Sequence, residues 1–391
     1  MRFLFAVIVT TLSLSTFAQG IKTEFGNKGL TIKADEAKFR ADFRFRVQSR
    51  FTYQTESADE ISPELAEFIV RRARLRFEGH VLDPRLLYKF QFSFTRGDMD
   101  FDRTEYPNIL RDAAVGWKLT DATTLWYGQT KLPGNRERLI SSGAQQFVDR
   151  SIVNATFNFD RDMGAQIHHV ANKERPIILM GAISNGEGRG TENPDAGMAY
   201  SARAEWRPLG DFKDGGDDYE GDLARETTPK IAIGAAYNLN KKATRSSGTL
   251  GSQFETEGLH IDLETYFVDF TYKYAGFSVY SEYAHRWSDK AVVTDGAEEV
   301  GIYKGQGLSV QSGYLFDNNV EPSLRFSALR ADHDALAAVS DQNHFTAGLS
   351  KYFNGHKVKI QSDLTFEEKM NSRNGDYSNA WVARIQLELG I

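Results

Sequence analysis

The sequence predicts an all-β fold, a transmembrane up-and-down antiparallel β-barrel of about 16 strands. Three observations predict it. Apolar and polar residues alternate one by one over runs of roughly 8–14 residues, the period of a strand. The connections between runs alternate between short and long, as periplasmic turns and extracellular loops do. The composition, 26% charged and 12% aromatic with no cysteine in 391 residues, excludes apolar helix bundles, disordered chains, disulfide scaffolds and thiolate metal sites. A net charge of −6 makes the whole chain no general ligand for nucleic acid.

The chain begins with Arg2, an apolar core over residues 3–9 that continues through Leu12 and Leu14, and Thr16-Phe17-Ala18 before Gln19. That order reads as a secretory signal over residues 1–18. Residues 19–38 follow as a periplasmic N-terminal segment, and residues 39–391 as the barrel.

The first barrel run places Phe39, Ala41, Phe43, Phe45, Val47, Phe51 and Tyr53 on one face and Arg40, Asp42, Arg44, Arg46, Gln48 and Arg50 on the other. The next sets Ala73, Leu75, Phe77 and Val81 against Arg72, Arg74, Arg76, Glu78 and His80. The third sets Tyr88, Phe90, Phe92 and Phe94 against Lys89 and Gln91, and the last sets Trp381, Ile385, Leu387 and Leu389 against Arg384, Gln386 and Glu388. Further runs centre on Val115, Tyr127, Ile167, Leu179, Ala204, Ile233, Phe270, Val279, Val310, Phe326, Leu349 and Ile360. Asn354-Gly355 is a hairpin turn signal. Pro322 near the start of a run predicts a bulge or a later start there, because a closed barrel has no edge to hide a missing donor. Trp117, Trp206, Trp287 and Trp381 sit near run ends, as interfacial girdles do. One connection, 208–229, is long and acidic on the side where turns should be short. Its acids read as a solvated loop, with calcium binding as the other reading.

With lipid outside, the apolar face points out and the arginines point in, since arginine at the bilayer midplane costs roughly 2–4 kcal/mol. The candidate lumen residues are Arg40, Arg44, Arg46, Arg50, Arg72, Arg74 and Arg76, with Lys89 on the next strand. Arginine keeps its charge and presents a fork that matches phosphate and carboxylate, and rings of Arg and Lys make anion pores. The competing reading pairs them across the lumen with Asp112, Glu205 and Asp363. The longest outer loop, 132–161, carries Arg136 and Arg138 and could narrow the channel. An outer-membrane hydrolase is the reading from another class. It would rest on His168 near Ser184, for which the sequence offers no orienting partner. The pattern implies no catalytic residue, no metal and no cofactor.

Several segments together resemble the phosphate-selective porin O and P family: AKFRADFRFRVQSRF, FIVRRARLRFEGHVLDP, WYGQTKLPGNRE followed by FVDRSIV, RDMGAQIHH, GDFKDGGDDYEGDLARETTPKIAIGAAY, TYKYAGFSVYSEYAHRW and GLSKYFNGHKVKIQSDL. The resemblance implies a 16-stranded porin of a Gram-negative outer membrane, commonly a homotrimer held in outer-membrane lipid and passing small anions such as phosphate. It implies that the Arg run 40–50, Arg72, Arg74 and the loop after Lys131 line or narrow the pore. The sequence departs from the family at Asp35-Glu36-Ala37 and at the terminal Ile391, and its inward lysines, Lys89, Lys118, Lys357 and Lys359, are scattered. A phosphate channel and a general diffusion porin both remain open at this point.

Overall fold

The computed structural model describes residues 21–391 other than 27–28, 35–37, 100–106, 193–196, 333, 335–339 and 372–374. The segment 1–18, read as a signal, lies outside the described residues, as does Asp35-Glu36-Ala37. The barrel strands are β1 (Phe39–Thr55), β2 (Pro63–Val81), β3 (Asp83–Ser93), β4 (Leu110–Lys118), β5 (Thr123–Lys131), β6 (Arg161–Ala171), β7 (Ile177–Ser184), β8 (Ala199–Trp206), β9 (Lys230–Ala243), β10 (Ile261–Tyr274), β11 (Phe277–Ser288), β12 (Gly305–Tyr314), β13 (Val320–Ala331), β14 (Asp341–Asn354), β15 (Val358–Met370) and β16 (Tyr377–Gly390). Each pairs antiparallel with its neighbour in sequence. The last returns to the first from Val382↔Gln54 to Gly390↔Arg46, which closes the sixteen strands into a barrel.

Connections at the end holding the C-terminus are short, including 119–122, 275–276 and 355–357; those at the other end include 94–109, 132–160, 244–260 and 289–304. The two-residue turn Ala275-Gly276 holds both residues at positive φ (51° and 87°), the type I′ geometry that matches strand twist. The exception is again the segment after β8, residues 207–229.

The barrel is polar inside and apolar outside. Val115, Tyr127, Ile167, Leu179, Ile233, Val268, Val310, Leu349 and Ile385 face outward and are exposed, while Gln48, Thr265, Asp269, Glu282, Arg286, Ser309 and Gln361 are buried on the inner face. Trp117 and Trp206 lie outward at the short-turn end, Trp287 and Trp381 outward at the long-loop end, so each interface has its aromatics. In the segment before the barrel, Lys22–Gly26 pairs antiparallel with Gly29–Ala34, and the latter pairs with β1 from Leu30↔Phe43 to Ala34↔Phe39, beyond the point where β16 ends.

The bulge or later start expected at Pro322 is not there. β13 begins at Val320 and its pairing with β14 runs through Pro322↔Leu349 without a shift. The ladder to β12 begins one residue later, at Ser323, so on that side Pro322 has no paired residue to which an N–H would donate.

Candidate functional site

Loop 132–160 leaves β5 and folds into the bore. Its neck is closed by the Leu132 N–H donating to the Asp160 carbonyl (2.9 Å). Two short helices stiffen it, α1 (Arg136–Leu139) and α2 (Ile152–Phe157), the second capped by Ser151 Oγ accepting from the Asn154 N–H (3.1 Å). Val153, Phe157 and Phe159 bury against Ala236, Phe267, Ala284 and Leu329 on the inner faces of β9, β10, β11 and β13. This is an apolar cluster inside a polar lumen, and burying these side chains fastens the loop to the wall. At Gly348 a Cβ would stand 2.9 Å from the Phe147 ring, so only glycine lets the loop lie this close to β14.

The rest of the loop runs across to the arginine wall. Arg46 and Arg74 donate to Ser142 Oγ (2.8 and 3.0 Å), Gln48 donates to the Ser142 carbonyl, and Arg50 and Arg72 donate to Asp149 (2.6 and 3.3 Å). Burial alone would raise the Asp149 carboxyl, but Arg71, Arg72 and Arg50 outweigh it and hold the group well below the usual carboxylate range.

Between loop and wall lies a cavity of about 980 Å³. Among the described residues it is lined by thirteen arginines and three lysines against eight side-chain carboxylates. The excess arises because carboxylates are shared. Glu78 faces both Arg44 and Arg76; Asp149 faces Arg50, Arg71 and Arg72; Asp98 faces Arg74 and Arg111. Lys131 donates to the carbonyls of Leu139 and Ile140, and Arg150 to those of Glu137 and Ile140. Neither forms an ion pair among the described residues. A cationic surface so incompletely neutralised attracts anions into the bore.

Eight of the residues singled out in the sequence line this cavity: Arg44, Arg46, Arg72, Arg74, Arg76, Lys89, Lys131 and Arg138. Three do not. Arg40 chelates Asp42 (3.0–3.1 Å) on its own strand. Arg50 is bound to Asp149. Arg136 is buried against the opposite wall, paired with Glu205 (2.5 Å) and Asp269 (3.1 Å). The acids expected to neutralise the first two strands serve other arginines: Asp112 pairs with Arg161, Glu205 with Arg136, Arg203 and Arg207, and Asp363 with Arg384.

Two lining arginines were missed because of β-bulges. Gln48 pairs with Arg72 and Ser49 with Val70, so Arg71 is the extra residue and turns inward beside Arg72. Gln91 pairs with Asp112 and Phe92 with Leu110, which does the same for Arg111. The first has a sequence signal: the outward apolar residues move from even positions (Phe68, Val70) to odd ones (Ala73, Leu75, Phe77). Arg150, Arg161, Arg325 and Arg384 also line the cavity.

Residues 207–229 correct the expectation of a solvated acidic loop. Glu220, Asp222 and Glu226 are buried. Asp222 accepts from the N–H of Glu226 and of Gly276, Glu226 from that of Lys213, and Glu220 from that of Gln146. These three carboxylates are thus engaged by backbone donors, while Asp211 and Asp217 pair with Arg207 and Asp214 and Asp218 stay exposed; the described residues hold no group of three or more acids and histidines arranged for a metal. As for hydrolysis, Ser184 pairs opposite Gly164 and His168 opposite Met180, four ladder positions apart, and His168 contacts Gln166.

The family model described as phosphate-selective porin O and P matches residues 42–388. No curated protein sequence matches. Among solved structures, the chain is similar to OmpF of Salmonella typhi in complex with daunomycin (14% identity, 92% of this chain and all of that one, TM-score 0.58). It is also similar to the anion-selective porin of Comamonas acidovorans (10% identity, 90% and 99% covered, TM-score 0.55) and to the trimer form of OmpT from Vibrio cholerae (11% identity, 89% and 98%, TM-score 0.53). At these identities the likeness shows the barrel fold.

Proposed function

The chain belongs to the phosphate-selective porin O and P family and is a porin of a Gram-negative outer membrane, a passive water-filled channel; from that premise we propose that it selects small anions, with oxyanions such as phosphate as its solutes. The observation that carries the proposal is the sixteen-to-eight excess of cationic over carboxylate side chains around the cavity. Arginine forks bind a tetrahedral oxyanion through paired, charge-assisted hydrogen bonds. Several moderate sites in series allow release as well as capture. Arg44, Arg46, Arg74 and Arg76 supply such a series on β1 and β2, and Lys131, Arg138 and Arg150 face them from the root of the loop. We further propose that residues 1–18 are removed on export, that 19–38 remain periplasmic, and that the working form is a homotrimer.

Single-channel recording in a potassium chloride gradient tests the selectivity. An anion-signed reversal potential is expected, and a cation-signed one would overturn the reading. Added phosphate then separates the solutes. Block of chloride current at submillimolar phosphate, relieved by Arg46→Ala or Arg74→Ala, marks an oxyanion channel. An unblocked current at tens of millimolar marks a general anion porin.

A further inference from the structure

We propose that residues 207–229 are a built-in partition, a periplasmic turn folded up into the bore that seals half of it and directs solute past the arginine wall. The inference rests on the channel reading above and concerns where the open path runs.

The first observation is where the cavity lies. Among the described residues, none from β7–β12 lines it, although those strands make up six of the barrel's sixteen. A barrel of this size encloses an aqueous channel unless something fills it. The second observation is what fills the other half. The turn meets loop 132–160 from below: the Glu220 N–H donates to the Ala144 carbonyl (2.9 Å), Gln146 N–H donates to the Glu220 carboxylate (2.8 Å), and Arg136 donates to the Asp217 carbonyl (3.1 Å). Loop and turn together therefore form one floor.

The third observation is how the turn is held. Lys273, buried on the inner face of β10, donates to the Gly216 and Tyr219 carbonyls (2.6 and 2.7 Å), with its ammonium 4.4 Å from the Tyr219 ring centre. Gly221 sits at φ 71°, and a Cβ there would lie 2.8 Å from the Glu321 carboxylate. Its conformation favours glycine, and it is seated directly against the Glu321 carboxylate of β13. A solvated turn would need neither a buried lysine aimed at its carbonyls nor this close seat. Asp218 alone of the turn reaches the large cavity, where it is exposed. Thr271 lies behind the turn on β10 and is buried.

The chain has no cysteine, so single thiols report access cleanly. Asp218→Cys and Thr271→Cys are treated with the anionic reagent sulfonatoethyl methanethiosulfonate from both sides of a bilayer, and the modification rate is read from the current. Rapid modification of Asp218→Cys with Thr271→Cys untouched is expected. Replacing residues 211–226 by Asn-Gly, which removes the turn and leaves loop 132–160 on the wall, should then make Thr271→Cys reactive from the periplasmic side. Equal rates at the two positions in the full-length chain, or a silent Asp218→Cys, would overturn the partition. The two full-length rates decide the matter even where the shortened chain does not fold. They are independent of ion preference, so a cation-selective wild type would defeat the selectivity reading without touching this one.

Discussion

The two halves of the lumen carry the same kind of residue and treat it oppositely. On the β1–β6 side, with β13–β16, arginines outnumber the acids they face and the bore is open. On the β7–β12 side Arg136, Arg203 and Arg207 meet Glu205, Asp269, Asp211 and Asp217, and loop 132–160 and turn 207–229 cover them. Arg203, with its guanidinium 2.6 Å from Asp269, is buried. The difference teaches that an inward arginine is not by itself a pore residue. Where carboxylates match it, removing water from the pair is tolerable and the region packs. Where one carboxylate serves two or three arginines, the surplus charge requires water and mobile anions, so the region stays open.

Reversing the open wall is the strongest way to break the contrast. Arg44, Arg46, Arg72 and Arg74 changed together to Glu should invert the sign of the reversal potential. The same exchange at Arg203 and Arg207 should lower the yield of folded barrel and leave the ion preference of what remains anion-signed. Next is Phe157→Ala, which empties a fully buried site between loop and wall and should cost about 3–5 kcal/mol of local packing. It is expected to show as current flicker and faster proteolysis of loop 132–160, and a quiet channel would refute the anchoring role.

Asp149→Asn separates the two duties of the shared carboxylate. Anion preference should rise, because three arginines lose their counter-charge. The loop should loosen by about 2 kcal/mol, less than the roughly 3–5 of a fully buried pair because this carboxylate is 23% exposed. Unchanged selectivity would mean that the charge count does not govern the current. The smallest expected effect is that of pH. The Asp149 carboxyl is depressed in the folded state, so its contribution is present above the ordinary carboxylate range and is lost only as pH falls through the lowered value. Burial, reinforced by Lys359 and Lys273, lowers His356 well below its usual range and keeps it neutral. Neither group should therefore change charge between pH 8 and pH 5. A transition of ion preference inside that window would show that a group other than these two controls the pore.

Much of the barrel could be read from alternation, because a strand shows its two faces to lipid and lumen residue by residue. Arg44, Arg46, Arg72, Arg74 and Arg76 were placed inward for that reason. Arg71 and Arg111 escaped because a bulge adds a residue and breaks the period that identifies the face. Arg136 was legible as a loop cation and not as a buried partner of Glu205 and Asp269, since 69 and 133 residues of chain separate them.

The amino-acid order alone determined the strand faces, the closure of an even-stranded sheet and the cationic character of the first two strands. Each depends on neighbours one or two residues apart and on the preference of lipid for apolar side chains. The tertiary structure decided which half of the bore is open, which arginines share a carboxylate, and that three acids of the turn, Glu220, Asp222 and Glu226, lie buried. Those outcomes depend on contacts such as Gln146 with Glu321 and Lys359 with Gln145, made across the lumen between residues 175 and 214 positions apart. Local periodicity carries no record of such distant pairs.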